Sequence, residues 1–293
     1  MGGYQDKKKV RRLLGIWIPK RTVYSWIEGT IPTITPLQVD RPELGYVIGA
    51  IMSDCTKNTS ITLSVKDLSF ANEFAKSLHI VTGREYEVRR GSSLKYIVTL
   101  KGSPLRYIIK SGLWKVVAYA YPKEFLQGLF DGDGGISICI TKRQFKVIIF
   151  LTNSNLELLK YVKQLLMERY GIKSKIKLSS RAGVIRQLPT GRKFTTKRCC
   201  WTLTIQYLED VIKFYKYIGF KIQRKQERLE DVAKIIRIYK SNRDRIRAWL
   251  RKYVMGRNHR WIRRLPSPDH PHSFLFSLNV VTLTLPLGDE YIR

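Results

Sequence analysis

The chain has 293 residues, 54 Lys and Arg against 23 Asp and Glu, and a formal net charge of +31. A hydrophobic fraction of 44% excludes a disordered basic tail, and the excess charge predicts a polyanion as partner, bound with an affinity that falls steeply with salt. The sequence shows neither an apolar leader nor an apolar run of about 18 residues, so the expectation is an intracellular protein (cytoplasm, nucleoid or organelle) with no membrane partner.

In chain order, residues 1–30 are basic and helical in character. Lys7–Leu14 reads as a helix, Gly15 ends it, and Pro19 opens another. The stretch from Gly15 to Gly29 is similar to the turn and recognition helix of a helix-turn-helix. In that reading Lys20, Arg21 and Tyr24 face DNA while Val23, Trp26 and Ile27 pack inward; a basic arm packed on the main body fits equally well. Residues 31–43 carry Pro32, Pro36 and Pro42 and read as a linker or strap.

Next comes an apolar segment, Gly45–Asp54 (GYVIGAIMSD), which returns as Glu124–Asp133 (EFLQGLFDGD). Gly49 matches Gly128, Ser53 matches Gly132 and Asp54 matches Asp133 at one common offset. Similar patterns follow each copy. After the first come a strand Ser60–Val65, a helix Leu68–Leu78, strands Arg84–Arg90 and Lys95–Leu100 joined at Gly91-Ser-Ser93, and a helix Ser103–Ser111. After the second come strands Ile136–Ile140 and Lys146–Leu151, a helix Asn155–Tyr170, strands Lys175–Ser180 and Arg198–Ile205 with a turn at Pro189-Thr-Gly191 between them, and a helix Leu208–Ile218. Glu227–Tyr253 keeps an apolar stripe and reads as one long charged helix. Residues 256–293 are Pro-rich and unassigned. The expected division is therefore 1–30 arm, 31–43 linker, 44–122 first repeat, 123–225 second repeat, 226–255 basic C-terminal helix and 256–293 tail. The class is α+β, with two antiparallel sheets laying basic faces on nucleic acid.

The repeated segment carries the chemistry. Small residues four apart share one helix face and let two backbones approach closely. If the two copies pack on each other, Asp54 and Asp133 meet at the same end. A helix C-terminus carries roughly −0.5 charge, so two termini and two aspartates form a strongly negative pocket that a cation must offset. Hard oxygen ligands favour Mg²⁺ or Ca²⁺, with the carbonyls of Ser53 and Gly132 as secondary ligands. Divalent ions beside carboxylates on a very basic protein point to phosphodiester hydrolysis. Zinc is not supported: Cys55, Cys139, Cys199 and Cys200 form no CxxC, and the four histidines lack finger spacing.

Val47–Cys55 and Leu126–Gly134 resemble the two motifs of a LAGLIDADG homing endonuclease, over roughly residues 40 to 225. The second copy is near the consensus; the first has Met52 in place of the first acidic residue and Cys55 in place of the last Gly. The resemblance implies a single-chain enzyme, monomeric and pseudo-twofold, built from two αββαββα repeats with helical N- and C-terminal extensions. It implies cleavage of long double-stranded DNA sites with Mg²⁺, with Ca²⁺ or Mn²⁺ as substitute ions; Ca²⁺ should support binding but little turnover, since its looser geometry positions the nucleophile poorly. It also implies that Asp54 and Asp133 are the metal ligands and that Asp131 is structural or peripheral. Basic or polar residues at the strand end after each motif would line the pocket, here Lys66 and Asn153, with Lys57 and Lys142 as further candidates.

Contacts to DNA are expected from alternating strand residues: Arg84, Tyr86 and Arg90 in the first repeat, with Val88 on the same face. In the second repeat they are Lys175, Lys177, Arg181, Arg186, Arg192 and Lys193. The leading function is a site-specific double-strand DNA endonuclease of intron type. The alternatives are an RNA-binding intron maturase or a DNA-binding regulator on the same fold, and a ribosome-associated basic protein, which the duplicated acidic ends oppose.

Overall fold

The computed structural model describes residues 37–57, 60–91, 94–101, 104–187, 191, 193–195, 197–256 and 261–264. Lys20, Arg21, Tyr24 and Arg192 lie outside these, as do the side chains of Lys57, Arg186 and Lys193.

The first half runs α1 (Glu43–Asp54), β1 (Cys55–Lys57), β2 (Ile61–Val65), α2 (Leu68–Thr82), β3 (Arg89–Arg90), β4 (Tyr96–Leu100), α3 (Leu105–Lys110) and α4 (Trp114–Ala120). The second runs α5 (Pro122–Gly132), β5 (Gly134–Ile140), β6 (Phe145–Asn153), α6 (Leu156–Tyr170), β7 (Lys175–Ser180), β8 (Ile185–Gln187), β9 (Lys193–Thr195), β10 (Cys200–Ile205) and α7 (Leu208–Tyr217). Then come α8 (Gln223–Ile238), α9 (Asn242–Lys252), β11 (Tyr253–Met255) and β12 (Trp261–Arg263). Among the described residues the strands form two four-stranded antiparallel sheets, β1-β2-β4-β3 and β5-β6-β10-β7, and two short ribbons, β8-β9 and β11-β12. The class is α+β, as the sequence pattern implies.

The halves repeat local chemistry as well as order. The helix α2 starts at Asp67, whose side chain accepts hydrogen bonds from the Ser69 and Phe70 amides, and α6 starts at Asn155, which accepts from Leu158 N. Each ends at a left-handed glycine, Gly83 (φ 68°) and Gly171 (φ 60°), which a β-carbon would strain.

Helices α1 and α5 cross at the centre of the molecule. Leu44–Ile51 and Phe125–Asp131 are all buried. A β-carbon on Gly49 would overlap Phe125 O and lie 2.9 Å from Leu129 N. One on Gly128 would overlap Tyr46 O and lie 2.8 Å from Ala50 N. The helices therefore touch backbone to backbone, as the small-residue spacing predicts. The core spreads from this pair under both sheets, with Leu63 and Val98 below one and Val147, Ile149 and Leu203 below the other.

Three expectations are corrected. Glu227–Tyr253 is two helices: Tyr239 turns extended, and Ser241 caps α9 by accepting from the Asp244 amide at 3.1 Å. The Ser-x-x-Asp pattern at 241–244 is a start signal inside an otherwise continuous stripe. Arg84–Arg90 pairs as a strand only at Arg89–Arg90. Its face is also inverted. Tyr86 and Val88 pack against the core, and Tyr86 Oη accepts a hydrogen bond from Thr82 Oγ1 at 3.0 Å. Arg90 pairs with Tyr96 on the core-side register, while Arg89 pairs with Ile97 on the open face. A one-residue shift in a period-two pattern swaps every side chain, so Arg89, and not Tyr86 or Arg90, stands on the open face. Lys142 lies in the turn at the far end of β5 from Asp133. At roughly 3.3 Å per residue that is about 20 Å away, so it does not line the pocket.

Candidate active site at the paired helix ends

The glycine crossing brings the C-termini of α1 and α5 together. A β-carbon on Gly132 would overlap Ser53 Oγ and lie 2.8 Å from Asp54 Oδ2. The Asp54 carboxylate thus sits against the backbone of Gly132, one residue before Asp133. Ser53 Oγ donates to Ala50 O at 3.0 Å, leaving its own carbonyl at the end of α1. Asn153, the last residue of β6, donates from Nδ2 to Asp133 Oδ2 at 2.6 Å. Strand β6 therefore brings a polar side chain to Asp133.

A cleft of about 620 Å³ opens beside Asp54, lined also by Ser64, Lys66, Lys95, Gly132, Arg224 and Lys225. Lys66 and Lys95 flank it from the ends of β2 and β4 and are exposed. Arg224 Nε donates to Asp67 Oδ2 at 2.7 Å, tying α8 to the cap of α2.

Lys225 is the cleft residue that sequence reasoning missed. It is buried, and its ammonium donates to the carbonyls of Phe130 (3.0 Å), Asp131 (2.6 Å) and Gly134 (2.7 Å). A cation on the last carbonyls of a helix answers both their unmet acceptors and the helix dipole. Burial lowers its pKa to about 8, against the opposing pull of Asp131. No local signal marks it. It stands far along the chain from Asp133, in the first turn of α8, among 54 basic residues.

Asp131 explains how Lys225 arrives there. Its buried carboxylate accepts from Tyr46 Oη at 3.0 Å and from the backbone amides of Lys221 (3.2 Å) and Ile222 (3.4 Å), at the N-terminus of α8. An anion at a helix start is favoured; here it comes from another helix and pins α8 one turn before Lys225. Desolvation raises its pKa to about 6, opposed by Lys225 and these hydrogen bonds. Asp54 is also raised by desolvation, with Lys225 pulling it down.

Among the described residues no three His, Cys, Asp or Glu side chains gather into a metal cluster. The acidic groups at this juncture offer hard oxygens: the Asp54 carboxylate beside Gly132, and that of Asp133, the next residue in the chain. This set suits Mg²⁺, Ca²⁺ or Mn²⁺ with phosphate and water completing the shell, and is unsuited to soft metals. No helix among the described residues is long and apolar enough to cross a membrane.

The open faces of the sheets are polar. On the second, Lys175 and Lys177 register with Thr204 and Thr202, and Ser179, Thr202 and Thr152 are joined by hydroxyl hydrogen bonds of 2.8 Å. On the first, Thr62, Thr99 and Ser64 line up with Ile97 and Arg89. Arg84 and Arg181 are exposed beside these faces.

Residues 120–219 match the family model of the LAGLIDADG-like domain. This stretch is a LAGLIDADG-like domain. A protein of Methanocaldococcus jannaschii, described as uncharacterized protein MJ0398, is 28% identical over 243 residues, covering 77% of this chain and 86% of that one. Among solved structures, full-length DUF199/WhiA from Thermatoga maritima is similar with a TM-score of 0.43 at 18% identity, over 70% of this chain. The match spans 64% of that WhiA chain, less than two thirds of its length. The homing endonuclease I-DmoI in complex with DNA and Ca gives a TM-score of 0.43 at 17% identity, over 64% of this chain and 97% of that one. Solved structures described as LAGLIDADG include the homing endonuclease I-SmaMI and the N-terminal domain of DUF199/WhiA.

Proposed function

We propose that this chain is a site-specific double-strand DNA endonuclease that hydrolyses phosphodiesters with a divalent metal, Mg²⁺ in the first place. The observation that supports it is the juncture itself. Two duplicated helix ends bring Asp54 against Gly132, the residue before Asp133 in the chain, at the wall of a cleft that also holds Lys66, Lys95, Arg224 and Lys225. Carboxylates alone would repel DNA; carboxylates ringed by cations on a chain of net charge +31 suit a phosphate with a bound metal.

Asp54 and Asp133, with the carbonyls of Ser53 and Gly132, would hold the metal. When bound, it lowers the pKa of water and stabilises the leaving oxygen. The protein does the rest. Lys66 and Lys225 offset the charge that grows on the phosphate oxygens, and Asn153 holds the Asp133 carboxylate in place. Water adds its oxygen to phosphorus, one P–O ester bond breaks, and the leaving oxygen takes a proton. The open sheet faces, through Lys175, Lys177, Arg181 and Arg89, carry the duplex on either side. One chain supplies both carboxylates, so a monomer suffices.

The test starts from binding. The full chain in Ca²⁺ is used to retain duplexes from a random-sequence pool, and the retained duplex is then given Mg²⁺ or Mn²⁺. Hydrolysis of both strands by the parent chain, and none by Asp54→Asn or Asp133→Asn that still bind, is the expected result. A duplex held but never cut would make this a DNA-binding protein on the same fold. That second reading draws on Lys225, a resident cation already on the α5 carbonyls.

A further inference from the structure

The two halves differ beneath the edge strand of each sheet. Counted from the left-handed glycines that end α2 and α6, Tyr86 corresponds to Ser174 and Val88 to Ile176. The strand pairing agrees. Arg89 pairs with Ile97 and Lys177 with Thr202, each one residue past the partner of the last residue of β2 or β6. In the first half Tyr86 packs against the core, and its hydroxyl accepts from Thr82 Oγ1. In the second half the serine carries no ring, and its Oγ is buried without a hydrogen-bond partner among the described residues. A cavity of about 820 Å³ opens there between α6 and β7. Ile172, Ile176 and Trp201 give it an apolar lining, with Met167 half exposed beside them. Lys160, Lys163 and Lys173 line it as exposed cations. Lys160 donates to Glu157 in an exposed pair, whereas Lys163 and Lys173 have no carboxylate partner among the described residues. The one acid in the lining, Glu168, accepts from Gln164 Nε2 at 2.7 Å.

We propose that this cavity binds a nucleotide, with the base in the apolar part beside Trp201 and the phosphate on the lysines. The volume lies within the roughly 300–1,000 Å³ usual for small-molecule sites, which are mostly apolar with a few placed polar groups. A flat aromatic group suits the place where the other half keeps a tyrosine ring, and bases stack favourably on aromatic side chains. Lysine ammoniums supply charge-assisted hydrogen bonds to phosphate oxygens. An aliphatic guest would leave the lysines unused, and a bare anion would leave the apolar lining unused. The nucleotide is either free or an unpaired member of a bound strand. Trp201 pairs with Asn153, whose amide holds Asp133, so the cavity borders the end of β6 that meets the paired helix ends. The proposal goes beyond the endonuclease reading and stands without it.

The probes are AMP, adenosine, inorganic phosphate and a short single-stranded oligodeoxyadenosine, each titrated calorimetrically against the full chain. Saturable binding of AMP, tighter than that of adenosine or phosphate, is expected. Ser174→Tyr restores the ring of the first half and should weaken AMP about tenfold or more, the scale of one lost base–aromatic contact. Lys163→Glu and Lys173→Glu should weaken AMP while leaving adenosine nearly unchanged. Both lysines are exposed, so these variants keep the test decisive if Ser174→Tyr does not fold. An oligonucleotide that binds tighter than AMP, and is lost with the same variants, assigns the cavity to an unpaired nucleotide of a strand; AMP binding tighter assigns it to a free nucleotide. Duplex retention in Ca²⁺ should survive all three substitutions, which separates this site from the endonuclease reading. No saturable AMP binding, or phosphate binding as tightly as AMP, would overturn the proposal. So would AMP binding that survives Ser174→Tyr and Lys163→Glu but falls with Lys66→Met, since it would then belong to the Asp54 cleft.

Discussion

Helix α1 ends in Met52, Ser53, Asp54 and a buried Cys55; helix α5 ends in Asp131, Gly132, Asp133 and Gly134. The glycines at the crossing and the final aspartates are shared; the glycines set the backbone contact, and the aspartates are the proposed metal ligands. The flanking positions are not shared. Met52 packs against the core, whereas Asp131, at the matching place, accepts from Tyr46 and from two amides at the start of α8. That carboxylate brings Lys225 onto the α5 carbonyls, and the end of α1 has no basic residue in its last turn. The contrast teaches that a duplicated motif can keep its acidic pair while a single unmatched position redistributes the charge around it.

The sharpest way to break the comparison is at the shared aspartates. Asp54→Asn and Asp133→Asn should each lower hydrolysis by several kcal/mol of transition-state stabilisation, about a thousandfold or more, with binding in Ca²⁺ retained. Single-turnover cleavage of the retained duplex checks this; one aspartate proving dispensable would show that the pair does not work as a pair. Lys225→Met comes next. It removes a cation from the cleft and leaves three carbonyls without their donor, so cleavage should fall about a hundredfold. The melting temperature should drop as well, because buried unmet acceptors cost roughly 1–3 kcal/mol. Lys225→Arg, with more reach and a planar head, should not restore both.

Gly128→Ala tests the shared crossing. A methyl group there meets backbone, which cannot swing aside, so a loss of about 3 kcal/mol is expected in denaturant unfolding. Gly83→Ala, with open space around it but a left-handed backbone, should cost less. The last test concerns Asp131. Its folded pKa of about 6 lies above the ordinary aspartate value of 3.8, so the native state holds this proton more tightly than the unfolded chain. Its contribution is fully present below about pH 4 and is lost as pH rises through about 6, an overall change of roughly 3 kcal/mol at most. Thermal melts of the parent chain and Asp131→Asn across pH 4 to 7 should show their difference changing in that window (about the span between those pKa values). A flat difference would mean that Tyr46 and the α8 amides hold the carboxylate as an anion throughout.

Much of this architecture is legible in the order of the residues. The periodic segments Leu68–Leu78 and Asn155–Tyr170 carry their own caps, and the glycines at 49 and 128 announce the crossing, because close backbone approach permits no side chain. Local errors arise where a period-two signal has no anchor. At Arg84–Arg90 either face reads as plausible until Tyr86 is seen packed inward. They also arise where a capping serine sits within a continuous apolar stripe, at Ser241.

By itself, then, the sequence determined the duplicated helices, the α+β class, the paired aspartates and the overall positive charge, since each is written in spacing, local caps or composition. The tertiary structure alone decided which cations stand beside Asp54. Lys225 reaches the α5 carbonyls only because Asp131 pins α8 across a long stretch of chain, and Lys95 reaches the cleft only through the register of β4 on β2. Such contacts depend on how separate elements dock, and no periodicity within a segment encodes the docking of another.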